Sequence, residues 1–214
     1  MCARYELKAK ARALNKHLPQ LHLAQDEMPR ISEIYPLDAV LMITADSLGY
    51  LGSSAKWGLV GSFLDAPPLK PLTTLNSEGL ASKPFYSKIL KKNRCLIPAT
   101  AFYEWQALAG KKQKIRISQS QGEPLMFAGI FDHHPQAGTT CTILTTAADQ
   151  IVSPIHPRMP VILGREEGIF WLDEHADYQD ADFAAMLQIP SRQALSIETV
   201  IEEAPSPQLS LVFA

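Results

Sequence analysis

The sequence predicts an α+β fold in which a curved, largely antiparallel, barrel-like β-sheet is flanked by helices. Three observations predict it. Strand-like segments crowd the middle of the chain, helical periodicity is confined to a few short stretches around them, and the two kinds of segment do not alternate regularly. With 214 residues, 46% of them hydrophobic, the chain can bury a substantial core. No repeat, low-complexity tract or long linker divides it, so one domain over residues 1–214 is expected.

Along residues 5–21, Leu7, Ala11, Leu14, Leu18 and Leu21 recur at steps of three and four, with Lys8, Lys10, Arg12 and Lys16 mostly elsewhere, which predicts an amphipathic helix. Residues 39–44 (AVLMIT) read as a strand. Gly49, Gly52, Ser53 and Ser54 read as the turn that leads to a second strand over 56–60, completing a hairpin. Pro67, Pro68 and Pro71 impose an extended loop that delivers Asn76, and a short helix follows over 82–92. Strands are expected at 95–97, 101–106, 115–118, 126–131 and 141–146, pairing as antiparallel neighbours around a hairpin turn at 109–111. Toward the C-terminus, 166–172 and 181–187 read as helices and 195–200 as a strand.

The formal charge of −2 gives no whole-molecule field that would draw a polyanion, so any nucleic-acid contact must be local. Two basic clusters could supply it, Lys88, Lys91, Lys92 and Arg94, then Lys111, Lys112, Lys114 and Arg116, although a solvated helix end and a charged hairpin tip are the commoner explanations of such runs and the favoured ones here. No apolar stretch marks a signal peptide or a membrane span, and a soluble, cytoplasmic protein is expected. The three cysteines, Cys2, Cys95 and Cys141, are odd in number and show no close pairing, so neither a zinc ribbon nor a disulfide framework is suggested. No metal or cofactor is expected, and Cys95 and Cys141 read as core residues.

Four positions could carry chemistry. Cys2 follows the initiator methionine, and a small residue there permits its removal, leaving an α-amine beside a thiol. Their intrinsic pKa values of about 8 and 8.5 leave useful fractions of neutral amine and thiolate near neutral pH. An aldehyde meeting this pair would form an imine and then close to a thiazolidine; the commoner reading of such a position is an untethered terminus. Glu104 alternates onto the face of Phe102, away from Tyr103 and Trp105, and a carboxylate held among apolar side chains becomes a proton donor or acceptor near neutral pH. It reads equally as a solvent-facing residue or the partner of an arginine. His156 lies where Pro154, Pro157 and Pro160 fix an irregular backbone, placing it for proton transfer, with Arg158 two residues on for a phosphate oxygen; loop histidines are more often plain surface. Asn76 could likewise be a turn-former.

Taken in chain order, these segments resemble the SOS-response-associated peptidase (SRAP) family. Met1-Cys2-Ala3-Arg4-Tyr5 is similar to its N-terminal M-C-G-R motif, and Trp57-Gly58-Leu59-Val60 to its W-G strand. Asn76-Ser77-Glu78 looks like a shortened form of its N-A-R-x-E-T loop. Arg94-Cys95-Leu96-Ile97-Pro98-Ala99 with Phe102-Tyr103-Glu104-Trp105, and Ile155-His156-Pro157-Arg158-Met159-Pro160-Val161, match two further motifs, and Thr145-Thr146-Ala147-Ala148 falls in the expected order. The resemblance implies a protein, monomeric and nucleoid-associated when bound, that crosslinks covalently to abasic sites in single-stranded DNA. It also implies peptidase activity toward its own Met1 and lyase-like activity. Cys2 would form the crosslink, Asn76 would hold the opened sugar or the Cys2 amine, Glu104 would shuttle protons, and His156 would assist sugar opening and reversal. Arg4, Trp57, Lys83 and Arg158 would contact DNA, Trp57 at the interrupted base stack. Ala3 stands where the family has glycine, and the loop at Asn76 lacks the family's Ala-Arg, which removes one expected phosphate contact. The competing functions are a terminal-cysteine amide hydrolase and a non-covalent single-strand-binding module.

Overall fold

The computed structural model describes residues 3–23, 33–108, 110–176, 181–188 and 193–201. In chain order the elements are β1 (Tyr5–Glu6), α1 (Ala11–His17), β2 (Leu21–His22), β3 (Glu33–Ile34), β4 (Ala39–Asp46), β5 (Gly49–Trp57), β6 (Thr74–Asn76), α2 (Pro84–Lys92) and β7 (Arg94–Ala99). There follow β8 (Ala101–Leu108), β9 (Lys111–Gln119), β10 (Leu125–His134), β11 (Gly138–Ala147), β12 (Arg158–Pro160), β13 (Ile162–Leu163), α3 (Arg165–Leu172), α4 (Ala181–Met186) and β14 (Leu195–Thr199).

Five of these strands close on themselves. β11 pairs with β10, β10 with β7, β7 with β4 and β4 with β5, all antiparallel, and β5 returns to β11 in parallel through Thr140 opposite Lys56 and Cys141 opposite Trp57. Closure leaves no free edge within the ring; Ile97, Phe127 and Ile143 share one of its faces and Leu41, Ile43 and Leu96 the other, where Leu96 meets Gly168 of α3, and all six are fully buried. Gly129 is needed at its centre, since a Cβ there would come within 2.9 Å of the Thr142 carbonyl and 3.0 Å of the Cys95 sulfur. Cys95 and Cys141 are free thiols buried in this core.

A second antiparallel sheet, in the order β14-β9-β8-β1-β3, packs beside the barrel. The chain crosses from one sheet to the other at Thr100, between β7 and β8, where the Thr100 N–H donates to the Glu6 carbonyl at 2.7 Å. Tyr5 of β1 lies edge-on to Trp57 and Phe127, with ring centroids 5.2 and 5.9 Å apart, and so joins the new sheet to the barrel. The site is built just past this corner.

The expected α+β, barrel-like fold is the one observed, with three local corrections. Residues 5–21 are not one helix: the pairing of Tyr5 with Phe102 draws β1 into the sheet, and only Ala11–His17 is helical, seated through Leu14. Gly52, Ser53 and Ser54 are not a turn but lie inside β5, paired with Ile43, Met42 and Leu41. Pro160 enters a strand after all, because β12 is an outermost strand where a missing N–H costs no ladder bond.

The basic clusters have mostly structural roles. Arg94 is buried, and its guanidinium donates to the Leu90 and Asp173 carbonyls, to Lys91 O and, at 2.6 Å, to Trp171 O, clamping the C-terminal ends of α2 and α3 together. Lys114 pairs with Glu33 at 2.8 Å and Arg116 with Glu6 at 2.6 Å. Lys111 and Lys112 stay exposed at the hairpin, whose residue 109 lies outside the described residues.

Candidate functional site

Glu104 sits in β8 opposite Ile115, only 3% exposed, on the face shared with Phe102 and away from Tyr103. Burial pushes its carboxyl above the usual carboxylate range, and the imidazole of His156 partly offsets the rise. The β1–β8 register pairs Tyr5 with Phe102, and the Tyr103 N–H donates to Arg4 O at 2.9 Å. Continued by two residues beyond Tyr5, that register aligns Ala3 with Glu104. Cys2 and Met1 lie outside the described residues.

His156 reaches the same spot from the loop between β11 and β12. Asp149 opens that loop by accepting the N–H groups of Ile151 and Val152 at 2.9 and 2.8 Å, and the Gln106 amide ties it to β8 through the Pro154 carbonyl at 3.2 Å. The His156 Nδ1 stands 4.0 Å from Glu104 Oε1. It also faces the Arg158 backbone, with the carbonyl at 2.9 Å and the N–H at 3.1 Å. A protonated Nδ1 can donate to that carbonyl, and a bare Nδ1 can accept from that N–H. The ring can therefore exchange a proton without moving, as a shuttle beside a carboxyl requires.

Asn76 comes from β6, which runs parallel to β11 with Asn76 opposite Thr145. It is exposed, and the buried Thr145 hydroxyl lies 3.3 Å from its Oδ1. Arg158 lies on the far side of Thr145, donating to the Thr145 carbonyl at 2.6 Å while its guanidinium grips Glu78 through two bonds of 2.5 and 2.8 Å. That pairing holds the Glu78 carboxyl below its usual range. Thr145 thus bridges the two parts of the site. Its place in chain order was readable from sequence, but its linking role follows from the β6–β11 register.

The remaining predicted contacts separate. Arg4 is sandwiched between Tyr35 and Trp105, 4.4 and 4.9 Å from their ring centroids, and pairs with Glu33 at 3.2 Å. Lys83 is exposed at the N-cap of α2, 5.9 Å from the Tyr86 ring centroid. Trp57 is a correction. It is fully buried, its indole N–H donates to Thr73 O at 2.8 Å, and its ring packs on Tyr5, so it offers no face to a base. Gly58 explains the pairing of these residue types: its φ of 148° lets the chain turn sharply out of the barrel directly after the tryptophan. Among the described residues no group of three or more His, Cys, Asp or Glu is placed to hold a metal ion. No described helix is long and apolar enough to cross a membrane.

The family model described as SOS response associated peptidase (SRAP) matches residues 1–206. The chain belongs to the SRAP family. A SRAP relative, the abasic site processing protein YobE of Bacillus subtilis, is 32% identical over 169 residues, covering 73% of this chain and 74% of the relative. The abasic site processing protein YoqW of the same organism is 33% identical over 146 residues, covering 65% of each chain, so this chain spans just under two thirds of that relative. The abasic site processing protein HMCES of Gallus gallus is 35% identical over 72% of this chain and 51% of its own length. Among solved structures, a protein from Bacteroides thetaiotaomicron superposes with a TM-score of 0.78 at 20% identity, covering 94% of this chain and 92% of the other. A phage-related protein from Bordetella bronchiseptica does so with 0.74 at 22%, covering 94% and 95%. At those identities the likeness shows a shared fold alone.

Proposed function

We propose that this chain processes abasic sites in single-stranded DNA by capturing them covalently through the α-amine and thiol of Cys2, after loss of Met1. The amine attacks the C1′ aldehyde of the ring-opened sugar, water leaves to give an imine, and the sulfur then adds to the imine carbon as its proton passes to nitrogen. The observation that carries this reading is the Glu104–His156 pair, a buried carboxyl with a raised pKa facing an imidazole at 4.0 Å, on the face that the β1 register aligns with Ala3.

In this reading Glu104, whose burial favours the protonated carboxyl, donates to the departing hydroxyl, recovers a proton from the iminium nitrogen, and relays the thiol proton to that nitrogen as the ring closes. His156 moves the proton needed to open the sugar and to reverse the adduct. Asn76, backed by Thr145, holds the opened sugar or the amine, and Arg158 and Lys83 meet phosphates. Arg4 acts beside them, steadying Trp105 and Tyr35 at the rim. The names borne by the YobE, YoqW and HMCES relatives support abasic DNA as the substrate.

The test is a denaturing gel with a labelled single strand carrying one abasic site. The protein is expected to give a heat-stable retarded band, which Cys2→Ala abolishes, and mass spectrometry of the reactive protein is expected to find Met1 removed. No retarded band from protein lacking Met1 would overturn the covalent reading. Retention of intact strands without any adduct would favour a non-covalent binding module, and cleavage of an amide substrate in its place a hydrolase.

A further inference from the structure

Arg158 is the residue that the proposed function assigns to a DNA phosphate, yet its guanidinium is already occupied. Both terminal nitrogens bond the two Glu78 oxygens, at 2.5 and 2.8 Å. A carboxylate gripped in this way has the same planar, two-pronged geometry as a phosphate diester's non-bridging oxygens. The two anions would therefore compete for one seat. We infer, resting on the reading of this site as one for single-stranded DNA, that Glu78 is a built-in competitor for the strand's phosphate, an ion-pair latch that must open before Arg158 engages DNA.

The supports on the two sides of the pair differ. Arg158 is fixed: its side chain is 21% exposed, and Nη2 also donates to the Thr145 carbonyl at 2.6 Å. The Glu78 side chain is 41% exposed, and its carboxylate, which also accepts from the backbone N–H groups of Ala147 and of Glu78 itself, can exchange these partners for water when it leaves the arginine. Its backbone, however, is held where the carboxylate finds the arginine again. The neighbouring Ser77 donates its N–H to Thr145 O at 2.9 Å and its hydroxyl to Leu187 O at 2.7 Å, and Gly79 turns the chain with a φ of 65°. A fixed cation with a hinged anion is the arrangement in which an incoming phosphate displaces the anion and leaves the cation in place. The low pKa of Glu78 keeps the latch charged near neutral pH. The cost falls on every strand, and only one whose phosphate lies in register with Arg158 recovers it.

The test measures binding of a labelled, undamaged single-stranded oligonucleotide by fluorescence anisotropy over a range of salt concentrations. It uses the wild type, Glu78→Gln, Arg158→Gln and the double variant. Because the oligonucleotide lacks an abasic site, the readout does not depend on the covalent step. Glu78→Gln is expected to tighten binding about 3- to 10-fold, which is up to about 1.4 kcal/mol. It should also steepen the slope of log affinity against log salt by about 0.7, as one further phosphate contact on a single strand would. Both changes should vanish when Arg158→Gln is present. An unchanged affinity and slope in Glu78→Gln would overturn the latch. So would tightening that persists undiminished in the Arg158→Gln background, since that is general repulsion between Glu78 and the strand. Failure of all four proteins to retain the oligonucleotide at any salt would sink the DNA reading itself, and the latch with it.

Discussion

Glu6 and Glu104 are both buried carboxylates, 1% and 3% exposed, on neighbouring strands of one sheet, and they end in opposite states. Glu6 also loses solvation, yet the Lys8 ammonium at 2.8 Å, the Arg116 guanidinium at 2.6 Å and the Tyr103 hydroxyl at 2.8 Å bring it down to about 2. Glu104, on the opposite face, has an imidazole at 4.0 Å in place of an arginine, and burial drives it upward. Burial alone therefore says nothing about reactivity. What faces the carboxylate decides whether it is a fixed charge that holds strands together or a group that keeps its proton to a higher pH than an ordinary carboxyl.

The widest separation of the two should appear in a pair of isosteric substitutions. Glu104→Gln removes the proton donor and should slow adduct formation by about 100-fold or more, within the usual range for general acid–base groups, with thermal stability unchanged or raised. An adduct rate equal to the wild type's would remove Glu104 from the mechanism. Glu6→Gln should do the reverse. By linkage, a carboxyl lowered from 4.5 to about 2 contributes about 3 kcal/mol near neutral pH, and urea unfolding should register a loss of that order. A loss under about 1 kcal/mol would mean that Lys8 and Arg116 hold the strands equally well without it.

Much of this was legible in the chain. The strand segments between Arg94 and Ala147 announced themselves by β-branched and aromatic runs, and the structure extends them without moving them. Alternation along β8 fixed the face of Glu104, and the prolines flanking His156 fixed an irregular loop there. Long-range pairing was not legible. Tyr5 reads as helical until Phe102 takes it into a sheet, and Trp57, to which the family resemblance gave a place at the base stack, is buried by closure of β5 onto β11. Glu78 and Arg158 are 80 residues apart in sequence, and only the β6–β11 and β11–β12 registers bring them together. Local periodicity reports the face of an element, whereas partnership between side chains depends on how distant strands are aligned.

The same contrast gives a pH dependence of definite sign. Glu6 has a folded pKa below its unfolded one, so its contribution is full above about pH 4.5 and is lost as pH falls toward 2. Between pH 5 and pH 3 that loss comes to about 2 kcal/mol. Glu104, raised on folding, acts the other way, its contribution shrinking as pH climbs above about 4.5 toward its folded value. Urea unfolding at pH 5 and pH 3 should therefore show a wild-type loss larger by about 2 kcal/mol than that of Glu6→Gln. Equal losses in the two proteins would place the acid sensitivity in other carboxylates.

The smallest expected effect concerns the hydroxyl that connects the two parts of the site. Thr145 is fully buried, and its Oγ1 lies 3.2 Å from the Leu75 carbonyl and 3.3 Å from Asn76 Oδ1. Thr145→Val keeps the shape and the β-branch while removing the donor, so the barrel should lose only about 1 kcal/mol. If Asn76 works because Thr145 orients it, the adduct rate should fall about 3- to 10-fold, with the wild-type pH profile preserved, since neither Glu104 nor His156 is touched. A displaced pH profile would show that Thr145 acts on the proton-transfer pair instead. An unaltered rate would reduce the Asn76 contact to packing and leave Glu104 and His156 to carry the chemistry without it.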